Sequence, residues 1–305
     1  MSAQEPFRSG FLAMLGRPNV GKSTLCNRLV GEKVAIVSDK PQTTRRRIAA
    51  VVHRPGAQLV ILDTPGIHKP RHQLGRRMVA AARQALDGVE AAALVVDASA
   101  PAPGQGDRRA AAVVATADVP RLLVANKADL VAAADRPARI AAYGELLPPE
   151  LWHGIFLVSA ETGEGCDALL DAALALLPPG PPYFPEGVCT DRPEQFLAAE
   201  LVREQGLLHL RDEVPHALAV TTDRWDVRES GLVSIGVTLH VEHESQKPIV
   251  IGRGGAMLRE IGEAARLEIE RRLGSRVYLE TWVKVRPGWR DRPGSLETLG
   301  FGRDG

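Results

Sequence analysis

The chain has 305 residues, 38 Lys and Arg against 37 Asp and Glu, and is 45% hydrophobic and 4% aromatic. That apolar fraction with a net charge of +1 excludes global disorder, and the length is sufficient for two domains. Three cysteines with no CxxC pair exclude a disulfide framework and a cysteine zinc site, and fit a reducing compartment. Near-neutrality also excludes a protein basic over its whole surface, although a local basic edge remains compatible with it. The start, MSAQEPFRSG, lacks the basic head and apolar run of a signal peptide. The longest apolar stretches, residues 89–98 and 110–117, are too short to span a bilayer, so a soluble, cytoplasmic protein is expected.

Taken in chain order, apolar runs of strand length occupy residues 10–15, 58–62, 91–96, 121–125 and 154–158. Each is followed by a loop and a helix-like stretch, which predicts an α/β fold with a doubly wound parallel sheet over residues 1–177. Ligands of such sheets lie beyond the carboxyl ends of the strands. Residues 178–192 are Pro-rich and read as a linker. The remainder, 193–305, predicts a helix at 193–208 and paired strands at 217–227 and 233–242 around the turn Glu229-Ser230-Gly231. A long helix at 256–273 and a last strand at 277–285 follow.

Gly16-Arg17-Pro18-Asn19-Val20-Gly21-Lys22-Ser23 satisfies G-x-x-x-x-G-K-[ST] after an apolar strand and before a helix that continues with Thr24. Its glycines let consecutive N–H groups wrap phosphates at the positive end of a helix. Lys22 would reach the β- and γ-phosphates and the Ser23 hydroxyl would bind Mg²⁺. Asp63-Thr64-Pro65-Gly66 ends the second run, with Asp63 suited to hold Mg²⁺ and the Gly66 N–H to approach a γ-phosphate. Asn126-Lys127-Ala128-Asp129 follows the fourth run. The Asp129 carboxylate can accept from two guanine donors that adenine lacks, Asn126 can tie this loop to the phosphate loop, and the Lys127 stem can cover the base. After the last run, Ser159-Ala160 can offer the Ala160 N–H to guanine O6.

This ordered set resembles the translation-factor-like GTPases. The resemblance implies a first switch near residues 38–47, within which Thr43 or Thr44 of Pro41-Gln42-Thr43-Thr44-Arg45 contacts Mg²⁺, and a second near 66–75. Ile67 stands where Ras-like proteins have a water-orienting glutamine nearby. Asn19 has two readings: it shapes the turn, or, as in related GTPases, its amide helps hold a monovalent cation such as K⁺ beside the phosphates.

In the second part, Ile251-Gly252-Arg253-Gly254-Gly255 precedes the long helix, and a GxxG loop between helices is the backbone clamp of KH domains for single-stranded RNA. The αββ…αβ order fits the type II KH arrangement. With PNVGKST, PQTTR, DTPG, NKAD and QKPIVIGRGG, nearly the whole chain resembles the Era GTPase family. The resemblance implies GTP hydrolysis to GDP, binding near the 3′ end of 16S rRNA, a role in 30S subunit assembly and peripheral membrane association; a monomer is expected. The tail to Asp291 is similar to the family's ending, whereas Pro293-Gly294 departs from it.

Residues 245–295 hold eleven Lys and Arg against six Asp and Glu, supporting an RNA edge that includes Lys284, Arg286, Trp289 and Arg290. Trp225 and Trp282 alternate within strands and read as core. His68 and His72, spaced like metal ligands, read as exposed residues of a switch, and Cys26 as packing. A different class of function, a GTP-sensing scaffold whose KH domain binds protein, stays open. An RNA-modifying enzyme finds no redox or methyl-donor motif in support.

Overall fold

Strands that are apolar on both faces need cover on both faces, and the first part of the chain supplies it. The structure is a computed structural model that describes residues 6–302; residues 1–5 of the N-terminal stretch lie outside the described residues, as do 303–305. Its first elements are β1 (Arg8–Leu15), α1 (Lys22–Val30), β2 (Ile48–Arg54), β3 (Ala57–Asp63), α2 (Gln73–Gln84), β4 (Ala91–Asp97) and α3 (Gln105–Val114). Next come β5 (Arg121–Asn126), α4 (Arg136–Gly144), β6 (Gly154–Leu157) and α5 (Cys166–Ala175). The sheet order is β2-β3-β1-β4-β5-β6, parallel except for β2. Alternation along β1 sends Leu12 and Met14 into one core with Leu25, Leu59 and Leu170. Ala13 and Leu15 enter the opposite core with Leu94, Val114 and Tyr143.

Two features differ from the expected pattern. Strand β2 was not anticipated: residues 48–54 form an antiparallel edge, in register from Ile48 opposite Asp63 to Arg54 opposite Ala57. A hairpin strand has no following helix, so the strand-then-helix alternation does not reveal it. The Pro-rich segment is also no free tether. Ser9 N donates to Pro178 O at 3.2 Å, Gly180 N to Phe7 O at 2.9 Å and Val51 N to Cys189 O at 2.9 Å. Gln58 Oε1 accepts from Tyr183 N and Phe184 N. Proline removes donors but leaves carbonyls, and here those carbonyls are used.

The chain divides into two compact units: Met1–Ala35, Thr44–Pro70 and Gly75–Asp191, and then Ile36–Thr43, Arg71–Leu74 and Arg192–Gly305. The second unit contains α6 (Glu194–His209), β7 (Ala219–Val227), β8 (Val233–Val241), α7 (Gln246–Ile251), α8 (Ala256–Leu273), β9 (Val277–Val285) and α9 (Pro293–Thr298). Strand β8 is central, antiparallel to β7 and parallel to β9. Val233, Ile235, Val237, Leu239 and Val241 point into one core with Val202, Leu207, Ile261, Ala265 and Ile269. Two short segments from the first part of the sequence also belong to this unit. Ile36 lies in its core, Val37 N donates to Glu204 Oε1 at 2.8 Å, and Arg203 donates to Thr43 O. Leu74 N donates to Arg290 O at 2.9 Å, and Gln73 N to Asp291 Oδ1 at 3.0 Å. Among the described residues no helix is long and apolar enough to cross a membrane.

The tryptophans reverse two expectations. Trp289, expected at an RNA contact, is 0% exposed, donates Nε1–H to Ala217 O at 2.9 Å and stacks on Phe301. Leu296 of α9, opened by Pro293, and Leu299 just after it are buried as well. Trp282, expected in the core, is 45% exposed. It shares the outer face of the sheet with Gly236, and its ring lies where a Gly236 side chain would be. Trp225 packs against the core, as expected. Trp289→Ala should therefore lower stability by about 3–5 kcal/mol, whereas Trp282→Ala should cost under about 1 kcal/mol, as read by denaturant unfolding.

Candidate functional site

The carboxyl ends of β1, β3, β4, β5 and β6 place their loops along one edge of the sheet. Residues 16–23 leave β1 in a loop with Asn19 at φ 63 and Gly21 at φ 91, both left-handed, before α1 opens at Lys22. The Asn19 conformation fits the turn-shaping reading, since Asn tolerates this region. A Cβ at Gly21 would lie 2.3 Å from Asn126 Nδ2, and one at Gly66 2.6 Å from Pro18 N. The loop after β3 thus rests on the phosphate loop; Ile67 N donates to Gly16 O and Thr64 Oγ1 to Met14 O.

Lys22 is buried and its Nζ donates to Gly16 O at 3.3 Å and Arg17 O at 3.2 Å. Burial lowers its pKa to about 8, against the pull of the Asp63 carboxylate. Burial pushes the Asp63 carboxyl up, with Lys22 and the Ser23 hydroxyl pulling the other way. Ser23 Oγ donates to Asp63 Oδ2 at 2.6 Å and lies 2.8 Å from Thr44 Oγ1. Asp63 Oδ1 is buried with no hydrogen-bond partner. Two hydroxyls and a half-satisfied buried carboxylate form an all-oxygen set of the kind that suits Mg²⁺. Thr43 is not brought there: its Oγ1 donates to Lys40 O at 2.7 Å and lies 2.8 Å from Ser38 Oγ.

Asn126 occupies the centre of the base side. Its Nδ2 donates to Val20 O at 2.9 Å and its Oδ1 accepts from Ala160 N at 3.0 Å. The Ala160 N–H, expected to face guanine O6, is held here by the Asn126 side-chain carbonyl oxygen. Asp129 Oδ1 accepts from Ser159 Oγ at 2.5 Å, which leaves the other carboxylate oxygen to take a second donor. Lys127, at φ 68, extends its Nζ to Asp97 Oδ2 at 2.8 Å. Asp97 went unnoticed in the sequence although it ends an apolar strand as Asp63 does. Arg17 also reaches it, at 3.5 Å. Burial works to raise the Asp97 pKa, but Lys127 and Ser99 together hold it below the usual carboxylate range. Arg28 of α1, also unforeseen, donates to Ala160 O at 2.9 Å and to Glu161 O.

The second unit carries the glycine loop. Gly252, Gly254 and Gly255 have φ of 74, 59 and 80, a run of left-handed residues between α7 and α8. A Cβ at Gly252 would strike Met257 N at 2.7 Å, whereas Gly254 and Gly255 face open space and Arg253 is exposed. A phosphate backbone can approach such a surface closely.

Residues 11–127 match the family described as 50S ribosome-binding GTPase, and residues 213–290 the KH domain family. A GTPase Era of Geobacter metallireducens is 48% identical over 300 residues, covering 98% of this chain and 99% of the relative. This chain belongs to the Era GTPase family. GTPase Era of Heliobacterium modesticaldum is 46% identical, covering 97% of this chain and 98% of the relative. The fold is also that of a crystal structure of Era in complex with MgGDPNP and nucleotides 1506-1542 of 16S ribosomal RNA. There the TM-score is 0.92 at 38% identity, over 97% of this chain and 99% of the other. An Aquifex aeolicus Era variant bound to GDP.AlF4- matches with the same score and identity, over 97% of this chain and 100% of the other.

In this Era GTPase the residues expected at RNA differ in burial and pairing. Ile251 packs against the core and anchors the glycine loop. Lys284 points to the outer face of the sheet, away from the face that α8 covers. Arg290 is paired with Glu242, and Trp289 is buried. Arg266, Arg271 and Arg272 pair with Glu270, Glu268 and Glu194, so part of the local positive excess is neutralised. Among the described residues no group of three or more His, Cys, Asp or Glu could hold a metal; His68 bonds to Gly66 O and His72 to Asp291. Cys26 is buried and its thiol is pushed up by burial.

The low pKa of Lys22 gives a pH dependence. Below about pH 8 the ammonium is already charged and nucleotide binding exchanges no proton through it. Above about pH 8 the ligand-free protein has lost that proton, which the phosphates require, so binding should take one up and affinity should fall up to about tenfold per pH unit. Calorimetry in buffers of different ionisation enthalpy should detect the uptake at pH 9, and Lys22→Met should abolish it.

Proposed function

We propose that this Era GTPase hydrolyses GTP to GDP and phosphate with Mg²⁺, and binds 16S rRNA near its 3′ end through its KH domain to assist 30S subunit assembly. The observation that supports this best is the end-to-end likeness to an Era structure holding both a GTP analogue and 16S ribosomal RNA. We place its action in the cytoplasm, as a monomer. Bound Mg²⁺ would neutralise charge on the β- and γ-phosphates. The residues to hold it are Ser23, Asp63 through its unpartnered Oδ1, and Thr44 in preference to Thr43. Lys22, released from the Gly16 and Arg17 carbonyls, would turn to the phosphates. Gly66 would present its N–H to the γ-phosphate, and Asp129 would select guanine.

Asp129→Asn should weaken GTP binding by about 2–4 kcal/mol and shift preference toward xanthine nucleotides, measured by competition with labelled GDP. Unchanged selectivity would remove Asp129 from the base site. Ile67 is buried and carries no group to orient water, so hydrolysis needs another source of charge. Asn19 is our candidate, through a bound K⁺. The GTPase rate should then be higher in potassium than in sodium buffer, and Asn19→Ala should erase the difference.

On the RNA side, Arg253→Asp with Gly254→Asp should weaken binding of a 16S 3′-end oligonucleotide at least tenfold, roughly 1.4 kcal/mol, while leaving GTP affinity intact. Crosslinking and sequencing of bound RNA separates the remaining readings. Enrichment of 16S 3′-end sequence supports this function. Enrichment of large-subunit RNA would favour the subunit named in the matching family's description, and no enrichment would favour the protein-binding scaffold.

A further inference from the structure

Helices α2 and α3, with residues 67–70 of the loop after β3, border a groove of about 1170 Å³. On α2 its wall includes Arg76, Val79, Ala80 and Arg83; on α3 it is Arg109, Ala112, Val113 and Thr116. Both sets follow the i, i+3, i+4, i+7 spacing of a single helical face. In the middle of each wall sits an exposed alanine, Ala80 and Ala112, beside a valine. Small side chains at that depth let a third backbone approach closely, and the valines supply an apolar floor.

The ends of the walls are cationic. Arg76, Arg83 and Arg109 are joined by Lys69 from the loop after β3, against the single carboxylate Asp87 among the described lining residues. An apolar floor of helical spacing between arginine borders calls for apolar anchors flanked by carboxylates. Nucleic acid would meet the cations but leave the valine and alanine floor without a partner. We propose that this groove docks an acidic amphipathic helix of a partner protein, with apolar side chains between Ala80 and Ala112 and carboxylates at Arg83 and Arg109.

The probe is a fluorescein-labelled, stapled helical peptide of about 16 residues with Leu at i, i+3, i+4 and i+7 and Glu on either side of that stripe. A control peptide holds the same residues reordered, so that charge and helicity are kept and the stripe is lost. Anisotropy titrations on the full-length, GDP-bound protein should show the patterned peptide binding at least about tenfold tighter than the control. In methyl-labelled protein its addition should shift the Ala80 and Ala112 signals. Ala80→Glu with Ala112→Glu, both at exposed helix positions, should cut this binding at least about tenfold while GDP affinity and the unfolding midpoint stay unchanged. Arg83→Glu with Arg109→Glu should do the same by charge reversal. Equal binding of the two peptides, methyl shifts confined to other regions, or indifference to both double substitutions would overturn the proposal. So would displacement of the peptide by an unstructured RNA of equal charge, or self-association of the protein that the alanine substitutions abolish. The latter two outcomes would assign the groove to RNA or to a second copy of this chain.

Discussion

One buried carboxamide sets the register of the nucleotide edge. Asn126 donates to the phosphate loop at Val20 O and accepts from the loop after β6 at Ala160 N, from its own position at the end of β5. The carboxamide carries a donor and an acceptor on one planar group and so does both. Aspartate would set an oxygen against the Val20 carbonyl, and a hydrocarbon would leave a buried N–H and C=O unpaired, each at about 1–3 kcal/mol. The same contact explains Gly21: the amide nitrogen stands where its Cβ would be. The phosphate loop and the loop after β6 are therefore spaced by a single side chain.

Around that fixed point the electrostatics are arranged for an anion with its cation. Lys22 and Asp63 are both buried, and burial works against the charge on each. Lys22 donates to two loop carbonyls, while Asp63 Oδ1 is buried without a hydrogen-bond partner. Such partial satisfaction is costly in a resting protein and is relieved when phosphate and metal arrive together. Asp97, Lys127 and Arg17 form a more exposed set beside it, in which the charges already satisfy one another.

Much of this was legible in the sequence because the chemistry is local. The phosphate loop, the strand-ending Asp63 and the pair Asn126 and Asp129 each lie within a contiguous motif that follows an apolar run. The helices and strands of the KH domain follow from hydrophobic period, and β9 falls on the residues expected. What the sequence hid depends on distant pairs. Arg272 looks like free positive charge until Glu194, 78 residues away, is found against it. Trp289 looks exposed after a Pro-Gly break until Phe301 and Ala217 enclose it, and Trp282 looks like core because alternation does not say which face of an edge strand is covered. Thr44 could not be told from Thr43 because adjacent residues differ only in which way the backbone turns them.

The eight residues of Ile36–Thr43 and the four of Arg71–Leu74 give the second unit an unusual property. It is not one continuous stretch of chain. A fragment cut at Arg192 would keep every helix and strand of the RNA-binding fold yet lose Ile36 from its core, the Val37 amide from Glu204, the Thr43 carbonyl from Arg203 and the Gln73 amide from Asp291. Such a module cannot be transplanted intact into another protein by moving its C-terminal half alone.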